Sequence, residues 1–247
     1  MNNLCCFIPT KSRINTNTYK LFDSVGIKVY HFIEPQEFNI YQVPNKINIG
    51  ENNKGITFVR NFMLNYAKSI NLEWVIFCDD DVKKFGYFCQ KTKKTITTGA
   101  SIWLDILEKA KTLPFEMIGI NYCQYAWVEK TIYSINKKFA EVCILINIKK
   151  INWQYNDNLK EDRDFQLQTI KNGSGVLRFN YYWFQCPAVG TNKGGLQDMY
   201  KANKDTEWAV NIVKKYHPFA KLQKKGDRVD AKIDVSGFAK SLNKLVK

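Results

Sequence analysis

The run Trp74-Val75-Ile76-Phe77-Cys78-Asp79-Asp80-Asp81 restricts the fold more than any other stretch of the chain. An uninterrupted apolar, largely β-favouring segment reads as a strand buried on both faces, which belongs in a sheet covered by helices. Its end delivers three adjacent carboxylates, and these repel one another. A divalent cation removes that conflict, because Mg²⁺ and Mn²⁺ take oxygen ligands, often one or two carboxylates plus substrate phosphates. In open α/β sheets, ligands sit at the carboxyl ends of strands. The run therefore reads as a metal–diphosphate site. An acidic turn or helix cap after a core strand is the plainer alternative.

The first 80 residues alternate strand and helix patterns, which points to parallel strands with crossover helices. Leu4 to Ile8 reads as a strand ended by Pro9, followed by a polar loop, a helix over about 16–24 and a strand over 27–32. Residues 34–54 read as irregular, with short extended pieces. Phe58, Val59, Phe62, Met63, Tyr66, Ala67 and Ile70 have helical spacing, so 57–70 is expected to be an amphipathic helix. Further on, the patterns predict a helix over 99–112, strands over 115–122 and 139–148, and a helix over 161–171. A strand over 176–184, a glycine loop over 190–195 and a helix over 197–215 complete the series. The division expected is one domain over 1–220 and a lysine-rich segment, 221–247, either packed on it or partly loose.

The chain has 247 residues, 45% hydrophobic, enough for a sizeable core. Its 37 Lys+Arg against 23 Asp+Glu give a formal charge of +14. Such a balance suits a polyanionic partner, nucleic acid first, although a lysine-biased genome would produce it too. The seven cysteines are odd in number and several lie inside apolar runs. They read as small reduced hydrophobes and point to the cytoplasm, of a host if the source is viral. No apolar run reaches the roughly 20 residues that cross a bilayer, and no signal peptide is evident.

Five further constellations could bear chemistry. Arg60 and Asn61 open the helix before the acidic strand; Arg60 could pair with a phosphate and Asn61 with a base or phosphate, or both could be solvated. Glu161 and Asp162 begin a helix, where carboxylates complement the dipole or one could act as a general base. His217 could bind metal or phosphate, or be structural. The loop with Lys193, Gly194 and Gly195 could be a lid or an ordinary connection. Lysines cluster after the triplet, Lys83 and Lys84 first, and again near the end, with Lys224 and Lys225; phosphate contact and plain solvation both fit.

Taken in order, these pieces resemble a GT-A glycosyltransferase, an α/β fold with a Rossmann-like, mixed, mainly parallel sheet flanked by helices. The closer resemblance is to the TET-associated glycosyltransferase family, known from phages and some eukaryotes. It is carried by Gly55 with Arg60-Asn61, Asp79-Asp80-Asp81 with Phe85, Glu161-Asp162-Arg163-Asp164-Phe165, Gly173, and Gly194-Gly195 with Tyr200, across residues 4–220. The resemblance implies a Mn²⁺- or Mg²⁺-dependent transfer from a UDP-sugar to a hydroxymethylated base in DNA, hydroxymethylcytosine foremost. It places the nucleotide pocket at Pro9, Thr10, Ser12 and Arg13 with Arg60, Asn61, Asp79 and Asp80. It places the metal on Asp81, with Asp79 and His217, and the acid pair of the acceptor side at Asp162 and Glu161. The alternatives are a glycosyltransferase for a protein, glycan or small molecule, a nucleotidyltransferase, and a non-enzymatic basic nucleic-acid-binding module.

Overall fold

The expected acidic strand, β4 (Trp74–Cys78), lies inside a ten-stranded sheet in a computed structural model that describes residues 4–157, 159–188, 202, 204–226 and 228–247. Every residue of β4 is buried, and its alternating side chains feed two cores. Val75 and Phe77 pack on the first face, Trp74, Ile76 and Cys78 on the second. Deleting a ring such as Phe77 would cost about 3–5 kcal/mol on general grounds.

The chain begins with β1 (Cys5–Thr10), α1 (Thr18–Asp23), β2 (Lys28–Ile33), β3 (Lys46–Asn48) and α2 (Ile56–Ser69) before β4. Then follow β5 (Lys84–Cys89), β6 (Lys94–Thr97), α3 (Ile102–Ala110), β7 (Met117–Tyr122), a single turn α4 (Cys123–Ala126), β8 (Tyr133–Ile135) and β9 (Cys143–Asn147). The rest is α5 (Glu161–Asn172), β10 (Val176–Gln185), α6 (Lys204–Lys215), β11 (Ala220–Lys225), β12 (Arg228–Ile233) and α7 (Val235–Ser241). The large sheet has the order β3-β2-β1-β4-β9-β7-β10-β5-β6, with β8 also on β10. Its pairings make β9, β5 and β8 the strands that oppose the common direction. This is the mixed, mainly parallel α/β architecture expected. Helices α2, α5, α6 and α7 cover the first face, and α1 and α3 the second.

Two local expectations change. β1 runs through Pro9 to Thr10, because β4 pairs only with Cys5 to Phe7 and the proline lies beyond that ladder. The hairpin β5–β6 forms in the lysine-bearing stretch after the triplet; Phe85, Gly86 and Phe88 turn inward, between exposed Lys84 and half-buried Tyr87 and Cys89. Residues 228–247 are folded: Ala231, Val235, Phe238 and Ala239 join the first-face core, and the terminal Lys247 exchanges backbone hydrogen bonds with Ile135 at 2.8 and 3.1 Å. Among the described residues no helix is long and apolar enough to cross a membrane. No disulfide joins the seven cysteines.

Candidate active site

Strand direction gathers the chemistry at one end of the sheet. β1, β4, β7 and β10 all finish there, while β9 and β5 start there. The loop after β1, the triplet after β4, Glu141 before β9 and the N-terminus of α5 therefore converge. This is where ligands bind in open α/β sheets.

The triplet is divided between two arginines. Arg13 pairs with Asp80, and its Nη1 lies 3.2 Å from Asp81 Oδ2. Asp80 is buried, and its carbonyl accepts from Thr16 Oγ1 at 2.5 Å. Arg60 Nη2 donates to Asp79 Oδ1 at 3.0 Å, while its Nε lies 2.6 Å from Glu161 Oε1. The second contact is a close charge pair whose N–H is not aimed well enough to count as a hydrogen bond. Arg60 thus ties the end of β4 to the start of α5. Burial works against its charge, but Glu161 and Asp79 more than offset this. Its guanidinium carbon sits 5.6 Å from the ring of Tyr155, which stacks on Phe165 at 3.9 Å.

Asp162 is placed differently. Its Oδ1 accepts the Arg163 backbone N–H at 2.8 Å, and Arg163 directs its side chain to Glu141 at 2.6 Å. Asp162 retains some solvent contact yet is surrounded by protein, and burial, then Glu141 and Glu161, push its carboxyl up to about 7. Burial also raises Asp79 well above the usual carboxylate range, partly offset by Arg60, and raises Asp80 to about 7 despite Arg13.

Several expected contacts are redirected. Arg60 is not a surface phosphate ligand: its side chain is 5% exposed and engaged by two carboxylates. Asn61 is engaged within the protein, its amide clamping the Tyr155 backbone, donating at 2.9 Å and accepting at 2.8 Å. Pro9 and Thr10 are buried in β1, and Thr10 Oγ1 lies 3.3 Å from His31 Nδ1. Ser12 is exposed at φ +57, with its N–H and hydroxyl on Glu37 at 2.8 and 3.1 Å, so this turn is held as a rigid rim. Asp80 is an anchor for Arg13 rather than a ligand facing outward. Glu161 is engaged by Arg60, whereas Asp162 accepts the backbone N–H of Arg163.

His217 is exposed in the turn after α6 and is not brought to the acids. Lys83 and Lys84 are exposed where β5 begins, beside the triplet. Lys224 is exposed on β11; the neighbouring β12 reaches the site through Asp230, 2.5 Å from Lys160. The Lys225 side chain and Lys193, Gly194 and Gly195 lie outside the described residues.

A divalent cation fits the donors in one form only. Six carboxylates (Asp79, Asp80, Asp81, Glu141, Glu161 and Asp162) share three guanidiniums (Arg13, Arg60 and Arg163), so added positive charge is accommodated. Asp79 and Asp81 keep 35% and 22% of their side-chain surface, against 5% for Asp80. Yet no three Asp, Glu, His or Cys among the described residues converge to hold a metal. The fit is to two carboxylates with substrate oxygens completing the shell, the common manner for Mg²⁺, and not to an all-protein cage.

Sequence reasoning overlooked Glu141 and Val142. Val142 stands at φ +67, rare for a β-branched residue, and its carbonyl accepts the Asp79 N–H at 3.0 Å. Tyr122 Oη reaches Glu141 at 3.3 Å. Cys186, just beyond β10, has its thiol pushed up to about 12 by burial and by Asp81 and Asp79, which places it beside the triplet. No motif marks these residues, since only the fold assembles them.

A family model described as TET-Associated Glycosyltransferase matches residues 5–195. Comparison with curated proteins gives no match. Among solved structures, glucosyl-3-phosphoglycerate synthase from Mycobacterium tuberculosis, in complex with Mg²⁺ and uridine diphosphate, is 8% identical with a TM-score of 0.57. The alignment covers 94% of this chain and 86% of that one. The same synthase with Mn²⁺, uridine diphosphate and phosphoglyceric acid gives 7% identity, a TM-score of 0.56 and coverages of 94% and 86%. At such identity the likeness shows the fold alone, a GT-A-like mixed sheet flanked by helices.

Proposed function

The chain belongs to the TET-associated glycosyltransferase family, and on that premise we propose that it moves a sugar from a UDP-sugar to the hydroxyl of a hydroxymethylated base in DNA, hydroxymethylcytosine foremost. The observation that carries this reading is the Arg60 bridge. It fixes the acids at the end of β4 and the acids at the start of α5 in one site, at Asp79 and Glu161. A sugar transfer needs both sides. Negative charge grows on the departing diphosphate, while the acceptor hydroxyl must lose its proton.

Asp79 and Asp81 would hold a Mn²⁺ or Mg²⁺ ion. When bound, such an ion supplies positive charge that offsets the charge of the leaving diphosphate. Asp80 and Thr16 hold Arg13 and the turn of the triplet in place. Asp162 takes the proton of the hydroxymethyl oxygen as that oxygen bonds to the anomeric carbon and the bond from that carbon to the diphosphate breaks. A carboxyl near 7 suits this role, because it is substantially ionised at neutral pH and still basic enough to accept the proton. Glu161 acts through Arg60 as a positioning residue. The formal charge of +14, with Lys83 and Lys84 exposed beside the site, supports attraction of the DNA backbone.

The test is nucleoside analysis of hydroxymethylcytosine DNA and matched plain DNA after incubation with Mn²⁺ and a panel of UDP-sugars. Sugar on the hydroxymethylated strand alone is expected, since plain cytosine offers no hydroxyl. Equal transfer to both, or turnover on a protein or glycan and on neither DNA, contradicts the reading.

A further inference from the structure

One loop beside the site exposes apolar side chains without freedom to hide them. Residues 123–132 leave the end of β7 with Tyr125, Trp127, Val128 and Ile132 exposed, Trp127 at 61% and Tyr125 at 54%. Single exposed hydrophobics are ordinary, but a contiguous group marks an interaction surface.

The loop is pinned beneath these tips. Ala126 is fully buried between the two exposed rings and packs with Phe88 and Trp183. Gly86 makes that seat possible, since a Cβ there would strike the Ile96 carbonyl and the Trp183 ring. Glu129 is held by Arg178 at 2.6 Å, and Asn180 holds Thr131 Oγ1 at 3.0 Å and the Ile132 carbonyl at 2.8 Å. Asn180 is fully buried. A buried polar network therefore presents an apolar loop in one fixed shape, as a binding surface requires.

Its surroundings indicate the occupant. Register aligns Phe184 of β10 with Tyr122 on one side and Phe85 on the other, and Gln185 with Lys84. Lys84 thus stands across β10 from the start of α4, close enough for its charge to act on Cys123. Lys83 and Lys84, at the start of β5, and Lys130, in the loop itself, are exposed. Tyr125 also touches Tyr122 edge-on at 6.2 Å, and Tyr122 bonds Glu141 of the acid cluster. Flat aromatic surfaces interleaved with lysines suit nucleobase stacking beside phosphate contacts.

Resting on the DNA-acceptor reading, we propose that Tyr125 and Trp127 form a stacking platform for unpaired bases next to the acceptor nucleotide. A base in a duplex must leave the stack to reach a pocket, and the gap or its neighbours then need a new apolar surface. The loop supplies that surface at the mouth of the site.

The experiment measures binding of a fluorescein-labelled hydroxymethylcytosine oligonucleotide, single-stranded and in duplex, by anisotropy at low and high salt. Sugar transfer to the same strands and binding to phosphatidylserine vesicles are followed in parallel. Trp127→Ala is expected to weaken oligonucleotide binding about 5- to 150-fold, the range of one lost base stack. Trp127→Phe should recover most of that loss. The loss should persist at high salt, whereas that from Lys84→Ala should fade. Because Trp127 is exposed, Trp127→Ala should keep the wild-type melting midpoint. Wild-type transfer to DNA with unchanged affinity in Trp127→Ala and Tyr125→Ala overturns the platform and leaves the acceptor reading standing. Failure of the wild type to bind or modify DNA removes both. A Trp127→Ala defect confined to vesicles assigns the loop to a membrane surface instead.

Discussion

The acids after β4 and the acids opening α5 lie at opposite ends of one arginine, yet their settings differ. Asp79, Asp80 and Asp81 each have a guanidinium partner brought from another element, Arg13 or Arg60. Among the described residues Asp162 has no such guanidinium pair; Arg163 beside it turns to Glu141, and the nearby Glu141 and Glu161 oppose its ionisation. The triplet is thus held by paired guanidiniums, whereas Asp162 has none paired to it, as the proposed reading asks of a base. Carboxylates at similar element ends acquire different surroundings from where the arginines point.

Four perturbations sharpen or break that contrast. The largest effect is expected from Asp162→Asn, which should cut the transfer rate by about 10²–10⁴ while UDP binding persists. An equal loss in Glu161→Gln with Asp162→Asn active would exchange their roles. Next, Arg60→Ala should destabilise the fold by about 3–5 kcal/mol, because it leaves Glu161 buried and Asp79 beside it uncompensated. Chemical denaturation measures this, and a loss below about 1 kcal/mol would put Arg60 in the class of surface pairs.

A smaller effect concerns pH. Asp162 must be ionised to accept a proton and titrates near 7, so kcat should fall about tenfold per pH unit below that value and level off above it. The decline should disappear in Asp162→Asn; a decline that stays assigns the titration to another group. Smallest is the double change Lys83→Ala and Lys84→Ala. If both touch phosphates, the salt dependence of DNA binding should lose close to two contacts' worth of slope, with little change at the donor site. An unchanged slope would leave these lysines as solvated surface.

Much of the donor half was legible because its signals are local. The apolar run Trp74 to Cys78 and the spacing Val59, Met63, Ala67 correctly announced β4 and α2. Glu161 to Lys171, with Gly173 beyond, announced α5. The partnerships were not legible. Arg60 looks like a solvated helix residue until α5 is folded against α2, roughly a hundred residues later in the chain. Asn61 has the same history, its partner being the Tyr155 backbone. The strands β5, β11 and β12 were missed because each is short and interrupted by charged residues, Lys84 in β5, Lys221 and Lys224 in β11, and Asp230 and Lys232 in β12. Glu141 precedes an apolar strand and carries no motif, yet it joins Arg163, Tyr122 and the field on Asp162.

The division of labour between the two acid groups is tested most directly by calorimetry of UDP binding with and without Mn²⁺ to wild type, Asp81→Asn and Asp162→Asn. Mn²⁺-dependent UDP binding is expected in the wild type, lost in Asp81→Asn and retained in Asp162→Asn. Binding that ignores Mn²⁺, or that survives Asp81→Asn and fails in Asp162→Asn, would contradict the assignment of the triplet to the donor and of α5 to the acceptor.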